Sequence, residues 1–520
     1  MKVLGLSLGH NASAGLIEDG NILCAYENER LTGIKSDSQF PIHAIRRIIE
    51  LYDLSDLKYI VVGHWFLDGQ LPDDDPKHWK PDIIKDLFPK AEVLSLSKDF
   101  SHHDSHMLSA EVFAGMTEDH YALVADGFGT EGECISVYFI SNGASTLARR
   151  IYGFNRSVGM WYQYSTEYMG MKPHQDEWKA LGYETHIDEY ISNVHYVQDM
   201  RELMVDFYYE SYMRLDTHET SLSSLIKTKK FVYENLESMI VGYKDEREKR
   251  VLASFLTQLH TENVLRRLFL HFKPVNLVVS GGCFYNVKIN SMLADMTSGK
   301  FSAMPLAGDQ AGWLGVYEYY FKDLKWPNHL FWGHRDQIDT PCIGIKQGGY
   351  NQVLGELSLW SIVNIIRGSM EYGPRALCHT STLALPTLTN VGIINAMNGR
   401  DTVMPFALVV TRKQAEDLFE DVNKIHKSLE YMIITRRFKP DKHIGLEGGA
   451  HYYPLHNKWT CRLQITDDPF MIRLLEEFGP LINTSFNYHG TPIVFNKRQI
   501  EYSHNMERKK FPIATVLVED

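Results

Sequence analysis

The sequence predicts an α/β fold split into at least two domains, and three observations predict it. Its 520 residues exceed the length at which one hydrophobic core stops growing. A hydrophobic fraction of 44% with 12% aromatic residues belongs to an ordered globular chain. Short apolar runs of strand character alternate with stretches of helical period, the pattern of layered sheets and helices. The net charge of −12 argues against broad, non-specific attachment to nucleic acid or anionic lipid and leaves room only for a local basic site.

Taken in order, residues 3–8 read as a buried strand. Two strand-like segments follow, Ser13–Glu18 and Asn21–Glu27, joined by the hairpin dipeptide Asp19-Gly20. The first residues imitate a secretory leader, with Lys2, an apolar stretch and Ala12-Ser13-Ala14. Two glycines interrupt that stretch and the hairpin follows at once, so folded structure in a cytoplasmic protein is expected. A helix is predicted over 42–54, a strand over 59–62, a helix over 107–116 and a strand over 121–125. Residues 193–272 turn helical and highly charged, and read as mostly solvated helices inserted in, or covering, the first domain, with 251–272 amphipathic. A strand at Leu277–Ser280 and a helix over 308–321 follow. The weakly patterned segment from Lys325 to Tyr350 holds the boundary, giving domains 1–345 and 346–520, the second built of mixed strands and helices. No run of about 18 apolar residues is present, so no membrane-spanning helix is expected. The six cysteines, at 24, 134, 283, 342, 378 and 461, lack Cys-x-x-Cys spacing and read as scattered reduced thiols rather than metal ligands.

The densest chemistry lies between Ser101 and Gly129. His102 and His106 are four apart, so one helix face presents both imidazoles to a single ion. Asp126 ends an apolar strand and precedes a glycine turn, where open α/β sheets place ligand sites. Two nitrogens and one oxygen suit a first-row metal with open positions. Residue types alone also permit a plainer reading, in which a histidine caps the helix and Asp126 makes a turn. Asp309, in Gly-Asp-Gln-Ala-Gly ahead of a helix, is by itself an N-cap candidate.

Three glycine-bearing loops share one character. The hairpin from Gly5 to Ala14 resembles the phosphate-binding hairpin of the actin, sugar-kinase and heat-shock ATPase fold. Asp126-Gly127-Phe-Gly129 resembles its second phosphate loop, and Ser280-Gly281-Gly282 with Asn286 its adenosine-side loop. With Gly9-His10-Asn11, Glu27-Asn28-Glu29-Arg30, Lys35, His102-His103-Asp104-Ser105-His106, Glu177-Trp178-Lys179 and Gly308-Asp309-Gln310, the chain resembles the O-carbamoyltransferase family. The resemblance implies a duplicated α/β first domain, similar to the tRNA threonylcarbamoyl-transfer protein. It also implies iron(II) on His102, His106, Asp126 and Asp309, with His10 and Lys35 lining the transfer site. Gly127, Gly281, Gly282 and Asn286 would then serve nucleotide binding, while Lys179 reads equally well as a solvated charge.

The second domain carries Gly368-Ser-Met-Glu371-Tyr-Gly373-Pro374-Arg375, then Arg400, Arg462 and Asn483-Thr484-Ser485-Phe486-Asn487. These resemble the module that makes threonylcarbamoyl-adenylate. They imply that Arg375, Arg400, Arg462, Ser485 and Asn487 handle ATP, Mg2+ and the donor carbamoyl phosphate, with Arg375 catalytic. Four positions depart from the family: Ser369, Thr380 and Met404 stand where arginine is expected, and Asn398 where lysine is. The expected reaction is transfer of a carbamoyl group through carbamoyl-adenylate to the hydroxyl of an antibiotic, a sugar or a hydroxymethyl-pyrimidine in a nucleotide or in DNA. The departures keep open a nucleotide- and metal-binding homologue that has lost adenylation. Lys227-Thr-Lys-Lys230 and Arg508-Lys-Lys510 read as solvated charge, not as a nucleic-acid surface. A homodimer is left open as the assembly.

Overall fold

A computed structural model describes residues 1–63, 81–97, 99–190, 222–240, 243–336, 338, 344–400, 406–453 and 456–519. Strands β1 (Lys2–Ser7), β2 (Ser13–Glu18), β3 (Asn21–Glu27), β4 (Tyr59–Gly63) and β5 (Glu92–Ser95) form a sheet in the order β3-β2-β1-β4-β5. β1 runs antiparallel to its hairpin partner β2 and parallel to β4. A second sheet repeats the plan. Strands β6 (His120–Ala125), β7 (Glu133–Ser141), β8 (Ala144–Tyr152), β9 (Leu277–Ser280) and β10 (Phe301–Ala303) stand in the order β10-β9-β6-β7-β8. Again the first strand is central, its hairpin partner is antiparallel and the fourth strand is parallel to it. This is the duplicated α/β architecture that the resemblance implied.

The space between those two sheets is filled by the helices His102–Ala114 and Gly312–Phe321. One apolar cluster joins Val3 and Val61 of the first sheet, Val124 and Val278 of the second, and Phe113 and Trp313 of the helices. Close approach is possible because glycines stand at the contacts. A Cβ on Gly315 would lie 1.9 Å from Ser105 O, and one on Gly63 would lie 2.2 Å from the carbonyl carbon of Gly312. The two helices therefore hold a fixed register, which fixes His102 and His106 relative to Asp309.

A third, mixed sheet is built from β11 (Ile345–Gly348), β12 (Ile362–Ile366), β13 (Thr380–Ala384), β14 (Ala407–Val410), β15 (Thr435–Arg437), β16 (His451–Tyr453), β17 (Lys458–Ile465), β18 (Leu481–Ser485) and β19 (Thr515–Val518). Its order is β11-β19-β12-β13-β18-β14-β17-β15, with β16 on β17. This sheet docks against the first two through buried polar ties. Tyr372 OH meets Ser13 Oγ at 2.9 Å, and Asn290 Nδ2 donates to Ile433 O at 2.7 Å.

The helices expected over 42–54 and 107–116 occupy Ile42–Leu51 and His102–Ala114, and the one over 308–321 begins as a 3-10 turn, Asp309–Ala311. The solvated reading of 251–272 is corrected. In the helix Glu246–Phe272, Val251, Phe255, Leu256, Leu259 and Leu265 are buried, as are Gln258, His260, Thr261 and Glu262. Polarity misleads here because these groups are internal partners: Gln258 donates to Glu262 at 2.8 Å and accepts from Asn286 at 2.7 Å. Residues 193–221 of the expected insertion lie outside the described residues. Among the described residues no helix is long and apolar enough to cross a membrane.

Candidate functional site

The helix His102–Ala114 starts on a capping box, in which Ser101 Oγ accepts from Asp104 N at 3.3 Å and Asp104 Oδ2 from Ser101 N at 2.8 Å. The cap is thus serine, not histidine. His102 and His106 project from successive turns with their Nε2 atoms 3.1 Å apart. β6 delivers Asp126, and the 3-10 turn delivers Asp309. Asp126 Oδ2 lies 3.5 Å from His102 Nε2 and 3.3 Å from His106 Nε2; Asp309 Oδ1 lies 3.4 and 3.5 Å from the same atoms. His103, between them, turns away and bonds Ser136 Oγ at 2.8 Å.

The donor set fits a first-row divalent cation. All four ligand atoms lie within 4.8 Å of one another, and the buried Asp126 Oδ2 has no hydrogen-bond partner. Separations of 3.3–3.5 Å are long for hydrogen bonds. They suit atoms that each stand about 2.1 Å from one ion. Burial acts to lower His102, but Asp309 and Asp126 overcome it and hold the imidazole up to about 10. Burial acts to raise both aspartates, and the histidines hold them below the carboxylate range instead. A cation entering here would displace imidazole protons.

Asp126, Asp309 and three arginines, Arg375 and Arg400 from loops and Arg462 from β17, line one cavity of about 870 Å³. His10, Lys35, Gly127, Gly282, Asn286, Arg375, Arg400, Arg462, Ser485 and Asn487 all face it; His102, His106 and Gly281 stand behind its wall. Gly281 has φ +97, with Ala125 O 2.3 Å from where a Cβ would be, so no side chain fits where that loop crosses β6. Gly127 N donates to Asp126 Oδ1 at 2.6 Å. Asn286 caps the helix Val287–Met296 through Lys288 N and Ile289 N, both at 3.2 Å, so its side chain is already engaged in the fold.

Next to the four-residue cluster, His10 Nδ1 lies 3.8 Å from Asp309 Oδ2. The His10 ring is 5.6 Å from that of His174, a residue sequence reasoning missed. His174 sits at φ +61, its amide bonded to Glu177 Oε1 at 2.5 Å, and burial pushes its imidazole down to about 4. Only that backbone turn aims it into the cavity, and no local motif announces it. Lys35 Nζ lies 5.5 Å over the Trp178 ring, its basicity lowered by burial. Lys179 pairs with Asp176 at 2.9 Å.

The arginine end has the opposite character. Arg375, Arg400 and Arg462 have no carboxylate within ion-pair distance among the described residues. Arg400 donates to Thr484 Oγ1 at 3.1 Å and Ser485 Oγ at 3.4 Å, while Arg375 Nε and Arg462 Nε are buried without partners. Burial and mutual repulsion pull Arg462 down to about 9, and burial pulls Arg400 down to about 10. Asn487 Oδ1 is a further buried acceptor without a partner, its amide nitrogen holding Tyr488 O and Thr491 O. Such a cluster accepts polyanionic oxygens. Of the departing positions, Asn398 is buried next to Glu507, Ser369 lies 3.2 Å from His334 Nδ1, and Met404 is outside the described residues.

Residues 76–316 match the carbamoyltransferase N-terminus family and residues 355–518 the carbamoyltransferase C-terminus family. An uncharacterised protein of Methanocaldococcus jannaschii is 26% identical, covering 95% of each chain. The nodulation protein NolNO of Sinorhizobium fredii is 24% identical over 93% of this chain and 75% of its own. The 3'-hydroxymethylcephem-O-carbamoyltransferase of Amycolatopsis lactamdurans is 29% identical over 47% of this chain and 48% of its own.

Proposed function

Because this chain belongs to the carbamoyltransferase family and is a transferase, we propose that it joins two half-reactions in its single cavity, ATP-dependent formation of carbamoyl-adenylate and transfer of the carbamoyl group to an acceptor hydroxyl. The observation that carries this is one cavity lined both by uncompensated arginines and by Asp126 and Asp309 of the His-Asp cluster. In the first half-reaction water cleaves carbamoyl phosphate to carbamate and inorganic phosphate, the carbamate oxygen then attacks the α-phosphorus of ATP, and pyrophosphate leaves. Arg375, Arg400 and Arg462 neutralise the phosphoryl oxygens, with Thr484 and Ser485 steering Arg400. Mg2+ accompanies ATP, and Asn487 Oδ1 is an available neutral ligand.

In the second half-reaction the acceptor oxygen attacks the carbamoyl carbon and AMP leaves. Carbamate alone is a poor electrophile, and a leaving group made and used within one cavity is shielded from water. His102, His106, Asp126 and Asp309 would hold iron(II), which supplies Lewis acidity to the carbonyl or hydroxyl oxygen. His10, beside Asp309, takes the hydroxyl proton, and Lys35 meets the adenylate from the arginine side. The acceptor is a hydroxyl-bearing small molecule or nucleotide.

The experiment is release of pyrophosphate and AMP by iron-reconstituted protein given ATP and Mg2+, with and without carbamoyl phosphate. Release that depends on carbamoyl phosphate supports the reading. Absence of release with ATP still bound supports the homologue without adenylation and overturns it.

A further inference from the structure

Residues 330–335 run beside the loop that carries Arg375 and meet it in an isolated antiparallel bridge between Gly333 and Met370. Gly333 N donates to Met370 O at 3.1 Å, and Met370 N returns a bond to Gly333 O at 2.7 Å. Two basic side chains follow directly after this bridge. His334 Nδ1 meets Ser369 Oγ at 3.2 Å, and Arg335 Nη2 donates to Thr380 Oγ1. Ser369 and Thr380 are the two loop positions at which arginine is expected, so at both a basic group arrives from elsewhere in the chain.

The Arg335 guanidinium is buried, with Nε and Nη1 lacking partners. Burial draws it down to about 10 against the pull of the Glu371 carboxylate. Glu371, 2% exposed, accepts from the amides of Leu377 at 2.7 Å, His379 at 2.9 Å and Thr380 at 3.0 Å, and from Thr380 Oγ1 at 2.7 Å. One carboxylate thus ties down the turn that begins two residues beyond Arg375. Burial acts to raise this carboxylate, and the facing basic groups together with its hydrogen-bond donors hold it below the usual range; a basic group taken away weakens that hold and with it the acceptor capacity. Of the other basic groups near it, His379 also pulls Glu371 down while burial lowers its own affinity for protons, and Arg30 is already paired with Glu27 at 2.9 Å and Glu29 at 2.8 Å. Arg335 carries the remaining fixed charge.

We infer that Arg335 is a positioning residue, delivered from the segment between the domains to keep Glu371 ionised and the Arg375 loop in place. Its effect on adenylation rests on the function proposed above; its effect on the loop does not.

The test is amide hydrogen exchange at Leu377, His379 and Thr380 in the full chain, run beside the pyrophosphate assay. Arg335→Ala is expected to speed exchange at these amides at least about tenfold, the scale of a lost hydrogen bond to a charged group. Arg335→Lys should lose less, and Arg335→Ala with Thr380→Arg should return exchange to within about threefold of the starting protein, with pyrophosphate release following the same order. Unchanged exchange in Arg335→Ala overturns the inference. So does lost protection that neither Arg335→Lys nor the charge-relocated double variant restores, because packing alone then accounts for it. If the unaltered protein releases no pyrophosphate, the adenylation reading fails while the exchange result still decides the role of Arg335.

Discussion

The two ends of the cavity settle their charge in opposite ways. At the His-Asp end two imidazoles face two carboxylates at 3.3–3.5 Å, and each side stabilises the ionised form of the other. At the arginine end three guanidiniums share a buried wall with no carboxylate against them, and their affinity for protons falls. The first cluster gains by exchanging protons for a cation, the second by admitting an anion. In the function proposed above, the first cluster serves the carbonyl and the second the polyphosphate.

The sharpest break of this comparison should come from His102→Ala combined with His106→Ala. Iron content and carbamoyl transfer are expected to fall at least about 100-fold, since even groups behind metal ligands cost 10–100-fold. Arg462→Met comes next: pyrophosphate release should fall about 100-fold or more, on the scale of one lost charge-stabilising donor. The same variant should leave the midpoint of thermal unfolding unchanged or raised without ligand and abolish the rise that pyrophosphate gives the unaltered protein. A drop in the unliganded midpoint would mean that Arg462 is a structural cation. His10→Gln is expected to slow transfer about 10–100-fold at constant pyrophosphate release, as for a lost general base. An equal loss in both half-reactions would remove His10 from its assigned place.

The smallest effect is on stability against pH. Burial holds Glu507 up at about 8, so it is protonated in the fold where an exposed glutamate is ionised. Its stabilising contribution is complete below about pH 4.5 and is lost as pH rises through 8. Glu507→Gln should flatten that decline and leave the protein more stable at pH 8, by on the order of 2 kcal/mol. Denaturant melts at pH 5 and pH 8 check it, and an equal slope in both proteins would contradict it.

Much of the fold is legible because its signals are local. Asp19-Gly20 between two apolar strands marks the first hairpin, and the spacing of His102 and His106 puts two nitrogens on one face. The strand ending at Asp126 is equally plain. Asp309 needed the resemblance, since its turn reads as a cap until the helix Gly312–Phe321 is packed against His102–Ala114 through Gly315. The helix Glu246–Phe272 was misread because a polar residue counts as solvated until its partner, here across 28 residues from Gln258 to Asn286, is known. His174 depends on one left-handed backbone turn, and Arg335 on an isolated bridge from Gly333 to Met370 that brings it to Thr380, 45 residues away. Nothing within a sequence window encodes either.

The central claim is that the two clusters serve different half-reactions. The most direct measurement is carbamoyl-phosphate-dependent pyrophosphate release, run side by side on the unaltered protein, on the variant carrying both His102→Ala and His106→Ala, and on Arg462→Met. The account predicts release by the first two and loss in the third. Release by Arg462→Met at the unaltered rate, or its loss when only the histidines are changed, would contradict it.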